Sequence, residues 1–178
     1  MEALKFLNNG GVVIFPTDTV YGFLADASNK KAVEKIFKIK KRPKSKPLAV
    51  FVKDIKMAKE LAEITKDQEK VLKKYWPGKY TFVLNSKIKN NLITKNSTIA
   101  IRIPDYKPLN KLLKKINKPL AQTSVNISGD DAFLKSKDII ERFGKVKDLL
   151  FLDAGNLKKS KPSKIIDLTE NKIKFLRK

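Results

Sequence analysis

The chain has 178 residues, of which 42% are hydrophobic, and it contains neither cysteine nor histidine. This length and composition predict one folded domain, residues 1–178, with its own core. The missing side chains exclude disulfide bonds, thiolate or histidine metal sites and Ser-His-Asp triads. No apolar run approaches the ~20 residues that span a bilayer. A cytoplasmic protein without a membrane partner is therefore expected.

The formal net charge is +22, and only four of the 40 basic residues are arginines. Two explanations of the lysine excess stay open: a compositional bias that accumulates surface lysine, or a basic face that binds RNA or another polyanion. Arginine offers a flat, bidentate fork where lysine offers a point charge. Arg42, Arg102 and Arg177 are therefore candidate binders of phosphate or carboxylate. Arg142 has the pattern of an ordinary helix surface.

Apolar spacing, caps and turn residues predict alternating strands and helices early in the chain and antiparallel pairing late. In chain order the elements are a helix at 2–7, a strand at 12–15, a helix from the cap Asn29 to Lys40, a strand at 48–52, helices at 55–61 and 66–75, strands at 81–84 and 98–103, a helix at 109–116, a strand at 120–124, a helix at 136–143, a strand at 149–152, and a hairpin of 165–168 with 173–176 that turns at Glu170-Asn171. The fold class is α/β, with a mixed parallel and antiparallel sheet.

The first candidate site segment is Pro16-Thr17-Asp18-Thr19-Val20-Tyr21-Gly22, which directly follows a buried strand. Open α/β sheets bind ligands at the carboxyl ends of their strands, and this segment brings hydroxyls, a carboxylate and a phenol to such an end. The alternative is an ordinary polar turn in which Asp18 bonds its own backbone.

The second candidate segment, residues 40–47, carries five cations between the end of a helix and the start of a strand. Cations at a helix C-terminus interact well with the helix dipole, which is the structural explanation. Two prolines restrict this loop, however, and its charge exceeds what capping requires. It is therefore a candidate triphosphate loop.

The third candidate segment, residues 123–129, follows another buried strand and offers small hydroxyl and amide groups to phosphate or sugar oxygens. The alternative is a capped turn at a strand end. No G-x-x-x-x-G-K and no G-x-G-x-x-G occurs, so a nucleotide has to be bound in another way. Trp76-Pro77-Gly78 has the pattern of a packing corner.

Together these segments resemble the YrdC-like threonylcarbamoyl-AMP synthases, in the order and approximate spacing of that family. The matching segments are Pro16 to Gly22, Lys40-x-Arg42-Pro43, Trp76-Pro77-Gly78, Ile99-Ala100-Ile101-Arg102, Ser124-x-Asn126 and Pro162-Ser163. The resemblance implies an open, twisted sheet with flanking helices and a basic, concave face. It also implies the synthesis of threonylcarbamoyl-AMP and pyrophosphate from L-threonine, bicarbonate and ATP with Mg²⁺. A separate transferase would then modify tRNA with the product.

The resemblance also assigns roles to individual residues. The expected threonine-binding residues are Thr19, Arg102, Gln122 and Ser163. The expected ATP-binding residues are Lys40, Arg42, Lys46, Thr98, Ser124, Asn126 and Arg177. Lys40 and Arg42 are the expected catalytic residues, and no metal ligand is assigned.

The implied reaction is compatible with a chain that has no histidine. Threonine and bicarbonate form a carbamate, which is already an anionic nucleophile towards the α-phosphate, so the protein mainly has to supply positive charge. Some relatives carry a histidine where this chain has Phe51. Longer relatives append a C-terminal domain over the site, so closure here is expected from the chain's own loops or a partner.

Two readings from other classes remain at this point. One is an RNA-binding module of the same fold without adenylate chemistry, and the other, which rests on charge alone, is a ribosome-associated structural protein. Neither has an evident need for Lys40-x-Arg42 together with Ser124-x-Asn126. The presence of both motifs favours the synthase.

Overall fold

The computed structural model describes residues 2–170 and 173–177. Six helices form in this part of the chain: α1 (Glu2–Asn8), α2 (Lys30–Lys40), α3 (Ile55–Leu61), α4 (Lys66–Tyr75), α5 (Lys107–Ile116) and α6 (Ser136–Phe143). The predicted bounds of α2, with its N-cap Asn29, and of α3, α4 and α6 are confirmed, and those of α1 and α5 differ by a residue or two at an end. None of the helices in these ranges is long and apolar enough to cross a membrane.

One sheet contains all ten strands of the described ranges. The strands are β1 (Val12–Phe15), β2 (Gly22–Asp26), β3 (Ala49–Phe51), β4 (Tyr80–Asn85), β5 (Thr94–Lys95), β6 (Thr98–Arg102), β7 (Leu120–Ser124), β8 (Leu149–Phe151), β9 (Lys164–Asp167) and β10 (Lys174–Arg177). Their order is β10-β9-β4-β6-β3-β7-β2-β1-β8, and β5 pairs with β6. The predicted mixed sheet is confirmed, since β1–β8, β3–β6 and β4–β9 are parallel and the other pairs antiparallel.

Two strands have no counterpart in the sequence prediction. Strand β2 lies inside the sheet between β1 and β7, and the short β5 extends the pairing of β6. The apolar run of β2 follows the polar segment 16–22 and precedes Asp26, so the sequence suggests one long turn there. The predicted hairpin of β9 and β10 forms, but Asn171 of its turn lies outside the described residues.

The two faces of the sheet differ in what covers them. On one face, which we call the covered face, Ile14, Phe23, Val50 and Ile101 pack against α2, α3, α4 and α6 in the main core. Trp76 is buried in this core, and its indole N–H donates to the carbonyl of Tyr80 at 2.8 Å, which confirms the predicted packing corner.

On the opposite face, α1 and α5 cover the part formed by β8, β1, β2 and the nearer ends of β3 and β7. Beyond them lies a region that we call the open face. Side chains alternate along a strand and directly paired residues share a face, so the strand register places Ala49, Val83, Ala100 and Gln122 together there. All four are partly exposed and belong to neither hydrophobic cluster. Two of the four are alanines, whose small side chains project little from the sheet.

Candidate active site

The segment 16–22 forms a tight, internally bonded loop between β1 and β2. The Thr17 hydroxyl accepts from the backbone N–H of Thr19 at 3.1 Å and of Val20 at 3.3 Å, and it donates to the Val20 carbonyl at 2.7 Å. The two threonine hydroxyls lie 3.0 Å apart, and both residues are buried. These contacts fix the shape of the loop and place Thr19 beside the site.

The polar-turn interpretation of this segment expects Asp18 to bond its own backbone. In the structure Asp18 bonds residues of other segments instead. Its Oδ2 accepts from Nη2 of Arg102 at 2.5 Å and from the backbone N–H of Asp105 at 3.2 Å. Both partners of the ion pair are buried, with side chains 3% exposed for Arg102 and 5% for Asp18. The loop therefore reaches across to the end of β6, where Arg102 lies.

Arg102 is held from several directions on the open face. Its Nε donates to the Gly78 carbonyl at 2.8 Å, and its guanidinium carbon lies 5.7 Å from the ring centre of Phe51. Burial lowers the pKa of Arg102 and Asp18 opposes that shift, but an arginine remains charged in any case. Its Nη1 has no hydrogen-bond partner in the ranges that the structure describes, so part of the fork is available to a ligand carboxylate.

Ser163 and Arg177 lie close to this guanidinium. The Ser163 hydroxyl is 2.9 Å from that of Thr81, and Arg177 donates from Nε and Nη2 to the Ser163 carbonyl at 2.9 and 2.6 Å. The positive charge of Arg177 also lowers the pKa of Arg102. The structure therefore brings Arg177, an expected ATP residue, to the residues expected around threonine.

Lys40 is the centre of a second cluster, at the C-terminal end of β7. It is 1% exposed, and its Nζ donates to the Ser124 carbonyl at 2.7 Å, the Asn126 carbonyl at 2.9 Å and Asn126 Oδ1 at 2.5 Å. The Ser124 hydroxyl donates to the same Oδ1 at 2.8 Å. The structure thus joins Lys40-x-Arg42 and Ser124-x-Asn126, which lie more than 80 residues apart in the sequence.

The ionisation of Lys40 is shifted by its surroundings. Burial, reinforced by the positive charge of Arg42, lowers the pKa of Lys40 to about 7, while Asp130 opposes the shift. Three acceptors match the three protons of an ammonium group, so the charged form fits the contacts best. Near neutral pH a proton can therefore leave Lys40 at a moderate free-energy cost.

Arg42 shapes the loop that follows α2. Its Nε donates to the Lys46 carbonyl at 2.6 Å and its Nη2 to the Pro47 carbonyl at 3.0 Å. The Lys46 side chain is exposed. Arg42 is half-buried, and this burial lowers its pKa. The loop therefore holds one structured arginine and an exposed cation beside the Lys40 cluster.

The strand pairing decides how the expected residues are distributed along the open face. Strand β3 is parallel to β6 and antiparallel to β7, so Pro47, Thr98 and Ser124 lie at the same end of the sheet. The Thr98 hydroxyl donates to the Lys95 carbonyl at 2.7 Å. Arg102 is at the other end of β6, about 13 Å from Thr98 at the usual rise of a strand. Gln122 lies on the open face between the two ends.

Sequence reasoning gave no role to Asp18, Gly78 or Thr81, which contact Arg102 or Ser163. Gly78 acts through its backbone carbonyl, which leaves no signal in the sequence. Asp18 does leave a signal in the sequence, because it is the only carboxylate in its segment and one of only 18 acidic residues in a strongly basic chain. Phe51, at the position where some relatives have histidine, lies against the guanidinium of Arg102.

Comparison with known proteins gives consistent matches. The family model Sua5/YciO/YrdC, which carries the description "Telomere recombination", matches residues 5–178. The chain is 37% identical over 99% of its length to a putative threonylcarbamoyl-AMP synthase of Methanocaldococcus jannaschii, and it covers 85% of that protein. It is 36% identical over 94% of its length to the threonylcarbamoyl-AMP synthase of Pyrococcus abyssi.

Structural comparison agrees with the sequence matches. The crystal structure of Pyrococcus abyssi Sua5 complexed with L-threonine superposes with a TM-score of 0.89 at 33% identity, over 99% of this chain and 52% of that one. The chain thus spans about half the length of the Pyrococcus abyssi relative. The long match to the family model and the identity shared with two synthases show that the chain belongs to the Sua5/YciO/YrdC family.

Proposed function

We propose that the chain is an L-threonylcarbamoyladenylate synthase, a nucleotidyltransferase that uses L-threonine, bicarbonate and ATP. The observation that carries the proposal is the open face, which has the buried Arg102 at one end and, at the other, the basic loop after α2 and the turn after β7, which Lys40 of α2 holds together. A substrate with a carboxylate at one end and phosphates at the other matches this distribution of charge. Both named synthase relatives and the threonine complex of the Pyrococcus abyssi protein support it.

The amino acid is expected at the end of β6. Arg102 would bind its carboxylate through Nη1, the guanidinium nitrogen without a partner in the described ranges, by a charge-assisted hydrogen bond. Thr19, Gln122 and Ser163 would surround the rest of the molecule. The small side chains of Ala49 and Ala100 leave the floor of the open face low between the two ends.

The nucleotide is expected over the loop after α2 and the turn after β7. Arg42, Lys46 and the hydroxyl of Ser124 would contact phosphates, while Lys40 holds the Ser124 and Asn126 backbone in place. Thr98, Asn126 and Arg177 are the other expected ATP residues. A direct contact between Lys40 and ATP stays a prediction, because its three protons already have acceptors in this structure.

In the proposed reaction, the ammonium group of threonine first loses a proton to solvent, and the amine and bicarbonate condense to a carbamate with loss of water. A carbamate oxygen attacks the α-phosphorus, and the bond to the β,γ-pyrophosphate breaks. The protein contributes positive charge to the phosphates and holds the reactants in line. Because the carbamate is already an anionic nucleophile, the attack needs no histidine base.

We further propose that Mg²⁺ enters with ATP. Between residues 2 and 170 and over 173–177, the structure has no group of three or more acidic side chains that could hold a metal ion. Magnesium is commonly bound by substrate phosphates with few protein carboxylates, so the residues present fit a metal carried by the nucleotide. When bound, it would neutralise charge on the leaving pyrophosphate.

A role with RNA is the remaining part of the proposal. With a net charge of +22, the chain is expected to bind tRNA or other RNA at low salt, whatever its function. A separate threonylcarbamoyl transferase would consume the product, and the expected location is the cytoplasm. The RNA-binding module without adenylate chemistry is the competing function.

Pyrophosphate release from ATP by the purified protein distinguishes the two. The synthase predicts release that requires both L-threonine and bicarbonate, and whose rate falls on the order of 10²-fold in Arg42→Ala but is kept in Lys44→Ala. Lys44 lies in the same loop and is exposed, so it controls for loop charge. Folded protein that binds RNA and releases no pyrophosphate under these conditions would identify the binding module instead.

A further inference from the structure

The carboxylate of Asp18 has a feature that its ion pair with Arg102 does not explain. Its Oδ2 has two donors, but its Oδ1 is buried and has no hydrogen-bond partner in the part of the chain that the structure describes. Buried polar atoms are nearly always bonded, and leaving a charged acceptor without a donor is costly. Such an oxygen beside a ligand site indicates that a ligand supplies the donor.

The surroundings of this oxygen restrict what the donor can be. Asp18 and Arg102 form a buried pair of opposite charges, with 2.5 Å between the bonded atoms. A free α-amino acid carries the same two charges, a carboxylate and an ammonium group, both attached to its α-carbon. With its carboxylate on the free nitrogen of Arg102, its ammonium group is within reach of the Asp18 carboxylate.

We propose that Asp18 binds the amino group of the amino acid substrate through Oδ1, and that the Arg102–Asp18 pair thereby selects free α-amino acids. This inference rests on the proposed function and adds a specificity-determining residue to it. The carbamate nitrogen keeps one N–H, so the contact is available before and after carbamate formation. An ordinary structural carboxylate would hold Arg102 equally well but would be indifferent to the amino group.

The test compares ligands that differ by one group. Isothermal titration calorimetry, without ATP and bicarbonate, measures the binding of L-threonine and of (R)-3-hydroxybutanoate, which lacks only the amino group. A buried hydrogen bond between charged groups predicts that the wild type prefers threonine on the order of 10- to 100-fold. The affinity for the threonine methyl ester, which lacks the carboxylate charge, measures separately the contribution of Arg102 to binding.

The variant Asp18→Asn should reduce that preference to about one. Its amide oxygen can still accept from Arg102, which preserves the fold, while its N–H₂ group meets the ammonium group donor to donor. The matched control is Asp105→Asn, because the Asp105 side chain is exposed and the backbone N–H that donates to Asp18 is retained. The control should keep the full preference.

Each outcome decides the matter. If Asp18→Asn loses the same factor of affinity for both ligands, Asp18 only positions Arg102. That result would overturn the proposal while leaving the proposed synthase function intact. Equal binding of both ligands by the wild type would also overturn it, even if the variant does not fold. Folded wild type that binds neither ligand and releases no pyrophosphate would refute the proposed function itself. The proposal is supported if the wild type and Asp105→Asn prefer threonine over (R)-3-hydroxybutanoate and Asp18→Asn does not.

Discussion

A buried cation lies near each end of the open face, Arg102 on the face itself and Lys40 beneath the turn after β7, 5.8 Å from the Phe23 ring centre on the covered face. The two cations are stabilised in opposite ways. Lys40 is surrounded by neutral oxygens of the turn after β7, whereas Arg102 is paired with the carboxylate of Asp18. A cation held by neutral oxygens can lose its proton, as the lowered pKa of Lys40 indicates. A paired arginine cannot. The lysine end is therefore sensitive to pH, and the arginine end is sensitive to the loss of its partner.

The largest expected effect follows from breaking the Arg102–Asp18 pair. The change Arg102→Ala leaves a buried carboxylate without its counter-charge, and such losses cost about 3–5 kcal/mol of unfolding free energy. Urea unfolding at pH 7.5 measures it. The control Arg142→Ala removes an exposed arginine of α6 and should change stability by less than about 0.5 kcal/mol.

The double variant Arg102→Leu with Asp18→Asn sharpens this prediction. Removing both charges together should recover much of the lost stability, because no unpaired charge remains. Threonine binding should stay absent in the recovered protein. A double variant as unstable as Arg102→Ala would mean that packing against Phe51 dominates over the ion pair.

The next effect concerns turnover at the other end of the face. Arg42→Ala should lower kcat for pyrophosphate release on the order of 10²-fold, about 2.7 kcal/mol, if Arg42 acts like a single oxyanion donor. Arg42→Lys keeps the charge but loses the two contacts to the Lys46 and Pro47 carbonyls. If Arg42→Ala keeps the full kcat, Arg42 does not take part in the reaction.

The pH dependence of stability tests the lysine end. The pKa of Lys40 is about 7 in the folded protein, below its ordinary value of 10.5. Between these values the unfolded chain binds more protons, so the contribution of Lys40 to stability is present above pH 10.5 and is lost as the pH falls towards 7. The free energy of unfolding, relative to Lys40→Met, should therefore rise with pH by at most about 1.4 kcal/mol per pH unit.

Urea unfolding at pH 7.5 and 8.5 measures this slope on both proteins. The matched control is Lys38→Met, an exposed lysine in the same helix, whose difference from the wild type should not change over this interval. Parallel pH profiles for the wild type and Lys40→Met would mean that the three oxygens keep Lys40 charged throughout.

The sequence predicted most elements because local patterns determine them. The Thr65 capping box and the corner at Trp76 bound α4, and the apolar stripe of α2 lies between Asn29 and Lys40. Strand β2 was missed because its short apolar run lies between the polar segment 16–22 and Asp26 and shows no alternation. A short apolar run of this kind has no period that identifies it as a strand.

The candidate site was less predictable than the fold, since its contacts join distant parts of the chain. Lys40 and Asn126 are 86 residues apart, and Asp18 and Arg102 are 84 apart. The resemblance to a family predicted which residues form the site. It did not indicate that Lys40 would bond backbone carbonyls or that Asp18 would pair with Arg102, because such contacts depend on the sheet order that brings the segments together.

The smallest effect involves Tyr21, which connects the segment 16–22 to a distant loop. Its hydroxyl donates to the Gly155 carbonyl at 2.6 Å and accepts from the Ala154 N–H at 2.9 Å. Tyr21→Phe removes both bonds but keeps the ring against Phe151. Water can reach the exposed loop backbone in the variant, so the loss of unfolding free energy should be about 1 kcal/mol.

In the control Tyr75→Phe, the altered hydroxyl has no bond in the described ranges, so little change is expected. A larger loss for Tyr21→Phe that is accompanied by weaker threonine binding would mean that this loop helps to hold Thr19 and Asp18 at the site.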